Sequence, residues 1–359
     1  MNTLDRYILK RLTVLTIMVI AVLIFVFIII DFSENSDNFT DRGAPLSEIW
    51  NRYYLNYIPE MIRLVSPLAV FVATLLIVGQ MSERVELIAL KSAGVSLYRF
   101  LVPFILFAVV MTTIVSYLDG YVIPSSNAER IQFEREYINR SSQRVERHRI
   151  YRQDSQELLI VLNYFDSSRN IAYGVRAYEF NGDELAQRID AVRMEWVDST
   201  EVWRFIRADR RIFHEQGYTH IFQADADTTL NIRPRDLART TADIYLLTYP
   251  EIVDYLSALR RSGAAGIEEP MVQFYGKVTY PISIIIITLI GVIIAAERRK
   301  GGRGAILGFG LGVSFLYIAL MKLIEPFGAS GTIEPLHAAL LPHIVFLLVC
   351  LIMLYKARK

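Results

Sequence analysis

Three carboxylates at a spacing of three residues follow the first apolar stretch of the chain. Asp31, Glu34 and Asp37 come directly after residues 12–30, which carry no charge. Side chains three residues apart lie on roughly one face of a helix, so a continued helix would bring like charges together. Water, cations or basic side chains must then offset their repulsion. Carboxylates at the end of a membrane span can mark topology, form a solvated cluster or belong to a pathway through the bilayer, and the pattern alone leaves these alternatives open.

Basic residues also lie within or beside apolar stretches, at Arg63, Lys277 and Lys322. A lysine at the bilayer centre costs roughly 2.5–3.5 kcal/mol on insertion scales, so such residues usually face a cavity or a partner. Arg63 and Lys277 are close enough to span ends to extend their charges to the interface instead. Lys322 has Glu325 three residues on, so a simple helix pair is its alternative. We take Asp31, Glu34, Arg63, Lys277 and Lys322 as candidate residues of a substrate cavity.

No signature of a catalytic, nucleotide or metal site is present in the sequence. A phosphate-binding loop needs Gly-x-x-x-x-Gly-Lys, which does not occur. The five histidines include no His-Glu-x-x-His, and His337 and His343 fall on different helix faces. The single cysteine, Cys350, lies in the last apolar stretch, which excludes a disulfide framework and a thiolate metal site. We therefore predict no catalytic residue, no metal and no cofactor in this chain.

The glycine-rich stretch GGRGAILGFGLG, residues 301–312, lacks the lysine of a phosphate-binding loop. Its glycines Gly304, Gly308 and Gly312 are four residues apart and share one face of a helix. Small residues at this spacing let helices approach closely in membranes. The pattern therefore predicts helix packing.

The composition indicates a membrane protein that carries one sizeable soluble part. Of 359 residues, 53% are hydrophobic and 21% charged, with a mean hydropathy of +0.32. The net charge of +1 gives no reason to expect nucleic acid. Apolar runs long enough to cross roughly 30 Å of hydrocarbon predict a polytopic α-helical protein with six transmembrane helices. These runs are residues 12–30, 58–79, 100–118, 278–296, 305–321 and 336–355.

Lysine and arginine concentrate on one side of these spans, which sets their orientation. The opposite short loops carry only Arg42 and Arg52. Both termini are therefore predicted to be cytoplasmic, and the long insert between the third and fourth spans to lie outside. No small-residue cleavage site follows residues 12–30, so we expect that stretch to be retained. The basic side carries Arg6, Lys10, Arg11, Arg84, Lys91, Arg99, Arg298, Arg299, Lys300, Arg303, Lys356, Arg358 and Lys359.

The insert is predicted to be a β-sandwich or β-jellyroll domain. Its short segments are rich in β-branched and aromatic residues and are separated by turn residues. Residues 1–122 then hold the first three spans, 123–270 the β domain with flanking helices, and 271–359 the last three spans. The predicted strands are residues 157–165, 171–180, 185–196, 202–213 and 218–232.

Two helices are predicted to flank these strands. The charged segment 129–152 is predicted to extend the third span as a helix, with a solvated charged helix as the simplest interpretation. After the strands, residues 248–263 carry helix signals, with a capping box between Thr248 and Glu251 and a stop at Gly263.

A short mixed helix is predicted in the cytoplasmic loop QMSERVELIALKSAGVSLYR, at about residues 83–93. It combines the charges of Glu83, Arg84 and Glu86 with apolar Leu87 and Leu90. A helix this short gains little stability from propensity alone, so we expect it to dock on a partner. A stiff connecting turn is the alternative.

With these motifs the chain resembles the lipopolysaccharide export system permease family, the LptF/LptG type. The resemblance covers nearly the whole chain, and three spans, a β insert and three more spans is an uncommon order. It rests on LDRYILK, on SERVELIALKSAGVS, on TYPEIVDYLSALRRSG leading into KVTYPISIII, and on GFGLGVSFLYIALMKLIEPFG with ALLPHIVFLL.

The resemblance implies a transmembrane subunit of an ATP-binding-cassette complex in the inner membrane of a Gram-negative-type cell. The short loop helix would be a coupling helix on a cytoplasmic ATPase dimer, with Glu86 matching the family's glutamate; ATP and Mg would bind to that ATPase. A second permease, identical or different, would complete a cavity that opens to the outer leaflet and accepts lipopolysaccharide. The β domain would be a periplasmic jelly roll that continues a bridge toward the outer membrane through a single-span partner.

The acidic stretch departs from the family, in which a lysine occupies the place of Asp31. Three alternatives follow: the basic role has moved to Arg63, Lys277 or Lys322, the carboxylates bind bridging divalent cations, or they pair with basic residues as a gate. In the simplest of these alternatives, Asp31 pairs with Arg63 and Lys322 while the cavity is empty. Lipid phosphate then replaces Asp31 as the partner of the two basic side chains.

A function of another class is a non-transporting, membrane-anchored β-sandwich scaffold that binds periplasmic partners. Such a scaffold needs no docking helix and no charges in a cavity, so co-purification with an ATPase would separate the two. An intramembrane enzyme would need a catalytic pair, which the sequence lacks.

Overall fold

The computed structural model describes residues 3–138, 150–155, 157–166, 169–182, 184–214, 217–237, 241–261, 266–296 and 302–357. Contacts divide the chain into two units. The membrane unit comprises Met1–Ile138 and Met271–Lys359, and the β unit comprises Asn139–Pro270. The helix of the third span continues to Ile138, so this division falls after the boundary at residue 123 that the sequence suggested.

The elements are numbered in chain order. Before the insert come α1 (Thr3–Asp41), α2 (Leu46–Glu83), α3 (Glu86–Ser92) and α4 (Leu97–Ile138). The insert holds β1 (Ile150–Gln153), β2 (Leu158–Leu162), β3 (Tyr164–Asp166), β4 (Ile171–Asn181), β5 (Glu184–Val197), β6 (Val202–His214), β7 (Gly217–Thr228), α5 (Pro234–Leu237), a 3-10 turn (Thr241–Leu246) and α6 (Tyr249–Arg261). Then follow α7 (Glu268–Thr279), α8 (Ile282–Ala296), α9 (Gly302–Ala329) and α10 (Pro335–Lys356).

The helices confirm the predicted membrane architecture. Within the described ranges, five helices are long and apolar enough to cross a membrane. A sixth span results when α7 and α8, which meet at 48°, are counted as one bent span. The fourth span therefore differs from a straight helix over residues 278–296, because its chain direction changes around Pro281.

The core of the membrane unit forms around α2 and α8, both of which are buried along most of their length. Close helix approach occurs at Gly291 of α8 and Gly310 of α9. A Cβ at Gly291 would lie 2.9 Å from the Phe71 ring, and one at Gly310 would lie 2.4 Å from Leu75 Cδ1 and 3.0 Å from Phe71 Cε1. These two glycines therefore let three helices meet around Phe71 and Leu75 of α2.

The glycines predicted to mediate packing are not the ones that do so within this chain. A Cβ at Gly304, Gly308 or Gly312 would meet no described atom within 4 Å. Gly310 lies between the last two in sequence and faces the other way, toward α2. The helix spacing was therefore a sound indication of one shared face, but the face that packs inside this chain is the opposite one.

The β unit contains one continuous antiparallel sheet in its described part, in the order β1-β2-β4-β5-β6-β7, with β3 also paired to β4. This confirms the predicted β insert, although the described strands join into one sheet rather than two separate ones. Its apolar core includes Ile160, Val175, Met194 and Trp203. Residues 150–153 form β1, so the helix predicted over 129–152 is wrong at its end; residues 139–149 lie outside the described ranges.

Two polar contacts connect the sheet to the segment that follows β7. Trp203 Nε1 donates to the carbonyl of Ile232 at 2.7 Å, and Asp154 Oδ1 accepts the backbone N–H of Ile232 at 2.8 Å. Burial raises the pKa of the Asp154 carboxyl, and the hydrogen bonds from residues 231 and 232 oppose that shift. This segment thereby stays over the apolar face of the sheet.

Helix α6 begins as the sequence predicts. The backbone N–H and the Oγ1 hydroxyl of Thr248 both donate to Glu251 Oε2, each at 2.9 Å. Ile252 and Leu256 are buried on one face of the helix. The capping-box prediction is therefore confirmed; the predicted stop at Gly263 lies outside the described residues.

We expect Gly310→Val to lower the stability of the membrane unit by about 1–3 kcal/mol, the usual cost of forcing extra methyl groups into a packed core. Gly312→Val is the matched control, because it has the same change in helix propensity and enters open space. Thermal unfolding of the detergent-solubilised full chain measures the difference. Equal loss in both variants would contradict the packing described around Phe71.

Candidate functional site

The bend of the fourth span is held by hydrogen bonds from neighbouring helices. A helix break at membrane depth frees backbone groups that need partners, because hydrocarbon offers none. Thr112 Oγ1 of α4 donates to the carbonyl of Pro281 at 3.1 Å, and Ser283 Oγ donates to the carbonyl of Tyr280 at 2.6 Å. The Tyr280 hydroxyl donates in turn to the Leu64 carbonyl of α2 at 2.9 Å. The bend is therefore a fixed feature, attached to both α2 and α4.

An enclosed ion cluster lies beside this bend. Asp119 of α4 accepts from Arg63 Nε of α2 at 2.8 Å, and Lys277 Nζ of α7 lies 3.9 Å from its other carboxylate oxygen. The side chains of Asp119 and Lys277 are 1% and 0% exposed. The Arg63 guanidinium also lies over the Tyr280 ring, 4.9 Å from its centroid. One carboxylate thus joins cations from two other spans at the point where the fourth span bends.

A second ionic contact joins α2 and α4 near the same level. Arg130 Nη1 lies 3.2 Å from Glu60 Oε2, and its guanidinium stacks over the Tyr57 ring at 4.4 Å from the centroid. Glu134, one turn further along α4, lies 3.5 Å from Arg130 Nε. Ion pairs therefore connect α2 and α4 at two places, Arg63 with Asp119 and Glu60 with Arg130.

Asp31 occupies a different environment from the one we predicted. The hydroxyls of Tyr53 and Tyr54 donate to its two carboxylate oxygens, each at 3.1 Å. The predicted pairing of Asp31 with Arg63 and Lys322 is wrong. The reason is distance along α2: Arg63 is nine residues beyond Tyr54, about 14 Å at the rise of a helix, and it is paired with Asp119.

The remaining cavity candidates do not join either group. Glu34 and Asp37 continue on α1 as predicted and are exposed. Lys322 Nζ pairs with Glu325 Oε2 at 2.8 Å, and the lysine side chain is 71% exposed. Lys322 therefore forms the helix pair with Glu325 that the sequence offered as an alternative. The structure brings together Arg63 and Lys277, and leaves Asp31, Glu34 and Lys322 at separate places.

Sequence reasoning missed Asp119, the residue on which the ion cluster depends. A signal was present, because Asp119 directly follows the predicted third span, 100–118. A carboxylate at that end of one span and cations near the same end of two others can form an enclosed cluster, since unpaired charges are costly there.

The loop of residues 84–96, here the α3 loop, forms a helix that is shorter than predicted. Glu83 ends α2, and Val85 has a φ of 65°, so the new helix begins only at Glu86 and ends at Ser92. A β-branched residue in the left-handed region is strained. This turn separates Glu83 and Arg84 from the helix on which we had placed them.

The two leucines of α3 point toward the membrane unit. Leu87 is buried in the apolar core, and Leu90 packs against the same core. Val85 and Ile88 are each 46% exposed, and Arg84 lies 3.9 Å from Glu86 Oε1. Of the residues predicted to couple to an ATPase, Leu87 and Leu90 therefore hold the helix in place, while Glu83 and Arg84 are exposed and Glu86 is half-buried.

We expect Asp119→Asn to destabilise the membrane unit by about 3–5 kcal/mol, because removing one partner of a buried pair leaves charge poorly compensated. Adding Lys277→Met to that variant should recover part of the loss. Glu325→Gln is the control, since breaking an exposed pair costs about 0–1 kcal/mol. Thermal unfolding in detergent compares the three, and an Asp119→Asn chain as stable as the Glu325→Gln chain would contradict the enclosed cluster.

Comparison with known proteins places the whole chain in one family. Residues 6–356 match the model of the family described as lipopolysaccharide export system permease LptF/LptG. The lipopolysaccharide export system permease protein LptG of Escherichia coli (strain K12) is 21% identical over 364 residues, covering 99% of this chain and 98% of that protein. The protein of the same name from Haemophilus influenzae (strain ATCC 51907 / DSM 11121 / KW20 / Rd) is 20% identical over 361 residues, covering 99% of both chains. This chain therefore belongs to the LptF/LptG family of lipopolysaccharide export system permeases.

Proposed function

We propose that this chain is the transmembrane permease subunit of an ATP-binding-cassette complex that extracts lipopolysaccharide from the inner membrane. The complex would pass the lipid to a periplasmic bridge toward the outer membrane. A cytoplasmic ATPase dimer supplies ATP hydrolysis with its own ATP and Mg, and a second permease of the family completes the cavity. Both termini then lie in the cytoplasm and the β unit in the periplasm.

The α3 loop is the observation that carries the proposal. Its helix of seven residues is too short to be stable by propensity, so packing of Leu87 into the core must hold it. Its outer surface presents Arg84, Val85, Glu86 and Ile88, a mixture of charge and exposed apolar area. A small rigid element that is fixed to the spans and exposed to a partner can transmit a push from an ATPase.

Under this proposal the residues predicted to line the substrate cavity fall into two groups, those that lipid can reach and those that it cannot. Arg63 and Lys277 are engaged with Asp119 and support the bend of the fourth span. Lys322 and Glu34 are exposed, so lipid can reach them. We propose that Lys322 exchanges Glu325 for a lipid phosphate, since an exposed ion pair holds its lysine weakly.

The sheet supplies a surface for the bridge partner. In the described part of the sheet β7 is an edge strand, and its Tyr218 and Phe222 are 62% and 66% exposed. An exposed edge offers main-chain hydrogen bonds to an added strand, and alternate side chains give specificity. We propose that the single-span bridge protein adds its own strand here.

Charge reversal at Glu86 tests the ATPase contact. We expect Glu86→Lys to weaken co-purification of the ATPase at least tenfold, a loss of about 1.4 kcal/mol, because a cation replaces an anion at the interface. Glu334→Lys, at an exposed glutamate in the loop between α9 and α10, is the matched control. ATPase recovery from the purified permease is measured by quantitative immunoblot. Normal recovery and full lipid extraction with Glu86→Lys would sink the proposed contact.

A second experiment tests the edge strand. We expect Phe222→Glu to reduce cross-linking to the bridge partner several-fold, since it places a charge on the exposed apolar surface of β7 and leaves the core untouched. Tyr151→Glu on β1, whose side chain is 56% exposed, is the control at the other described edge. Hydrolysis by the bound ATPase should be unchanged in both variants. A larger loss at Tyr151→Glu would move the contact to the opposite edge.

A further inference from the structure

The first turns of α1 contact both flanks of the α3 loop. Arg99, in the first turn of α4 just after the loop, donates through Nη2 to Asp5 Oδ2 at 2.8 Å. Arg11 donates through Nη2 to Gln80 Oε1 at 2.5 Å, in the last turns of α2 just before the loop. Asp5 lies 6 residues before Arg11 in the sequence, so both contacts come from one short part of one helix. Two polar contacts therefore bracket α3 at its base.

Apolar packing reinforces this attachment. Ile8 and Leu12 of α1 are both 0% exposed. They belong to the same core cluster as Met81, Leu87 and Leu97, which come from α2, α3 and α4. The first turns of α1 thus pack against the same apolar core that holds Leu87. We infer that a displacement of α3 reaches α1 through the flanks of the loop, where Gln80 and Arg99 contact it.

The rest of α1 is packed very differently. Its buried residues are Asp5, Ile8, Leu12, Thr16 and Phe39. Between Thr16 and Phe39 the helix is unbroken and has no buried residue, and only 6% of its most apolar window is buried in this chain. Because its side chains here are at most half-buried, the middle of α1 is held less tightly than its first turns.

The other attachment of α1 is at Asp31, which accepts the hydroxyls of Tyr53 and Tyr54. Asp5 and Asp31 are separated by 26 residues, about 39 Å at the rise of an α-helix. Phe39 adds an aromatic contact to Tyr53 at this end, with ring centroids 5.8 Å apart. The helix therefore links the α3 loop to the far side of the membrane unit.

We propose that Asp5 and Arg99, supported by Arg11 and Gln80, are positioning residues that couple the α3 loop to α1, so that a push on α3 moves the distant Asp31 end of that helix. This inference rests on the proposed ATPase-driven function. The Asp5 side chain is only 9% exposed, so the protein shields its carboxylate from water and the ion pair with Arg99 holds a defined geometry. Arg99 is an arginine rather than a lysine, which suits a directed contact because its planar fork is pre-organised.

The test uses the full complex of ATPase and permeases in nanodiscs with lipopolysaccharide. Asp5→Asn, Arg99→Gln, the double variant and the charge swap Asp5→Arg with Arg99→Asp are compared with the parent. ATPase association, basal hydrolysis and lipid released per ATP are measured. Glu334→Gln, which changes an exposed carboxylate that contacts His337 elsewhere in the chain, is the control.

We expect both single variants to keep their ATPase and their basal hydrolysis, but to release at least fivefold less lipid per ATP. The double variant should be no worse than either single one, because the two residues act through one contact. The swap should restore release to within twofold of the parent. A merely structural role would lower folded yield, hydrolysis and release together and would leave their ratio unchanged.

Three results would overturn the inference: parent-like release per ATP in both single variants, additive losses in the double variant, or losses that follow folded yield. If a single variant fails to fold, Asp5→Glu and Arg99→Lys keep each charge and change only the geometry, and the same ratio decides. If the parent complex itself binds no ATPase or releases no lipid, the proposed function fails, and this outcome is seen before any variant is compared.

Discussion

The Asp119 carboxylate, enclosed between Arg63 and Lys277, is the interaction on which the membrane unit depends. Hydrocarbon can neither solvate a charge nor pair a freed backbone group, so each must find a partner inside the protein. Both needs arise at the bend of the fourth span. The Asp119 carboxylate pairs with Arg63 and Lys277, and the hydroxyls of Thr112 and Ser283 donate to the carbonyls of Pro281 and Tyr280. Three spans are thereby joined at a point about 30 Å along α2 from the α3 loop.

The same constraint explains why two carboxylates of α1 have polar partners on neighbouring helices. Asp31 is shared between two tyrosine hydroxyls at the start of α2, and Asp5 is paired with Arg99 at the opposite side. The apolar surface of α1 between these points is exposed in this chain. This chain thus combines a core of α2, α4 and α8 with a long first helix whose polar contacts lie at Asp5 and Arg11 on one side and at Asp31 on the other.

The sequence was sufficient to predict features that local periodicity decides. It was insufficient for features that depend on which helices lie next to each other. Six apolar runs, a β insert and the Thr248 capping box follow from spacing and propensity, and the structure confirms them. Asp31 was assigned the wrong partners because sequence does not tell which helices are adjacent or how far apart two residues stand in space. The start of α3 was predicted too early because Val85 adopts a left-handed backbone conformation. Valine disfavours that conformation, so nothing in the sequence indicated the turn. Gly310 rather than its spaced neighbours makes the close contact, since only packing decides which face of α9 meets α2.

The most direct measurement is recovery of the chain from native membranes at its natural level, with mass spectrometry of the proteins and lipids that come with it. We expect an ATPase subunit in defined ratio to the chain and a phosphorylated glycolipid enriched over bulk phospholipid. Recovery without any ATPase, and with lipids in the same proportions as the surrounding membrane, would contradict the proposed function.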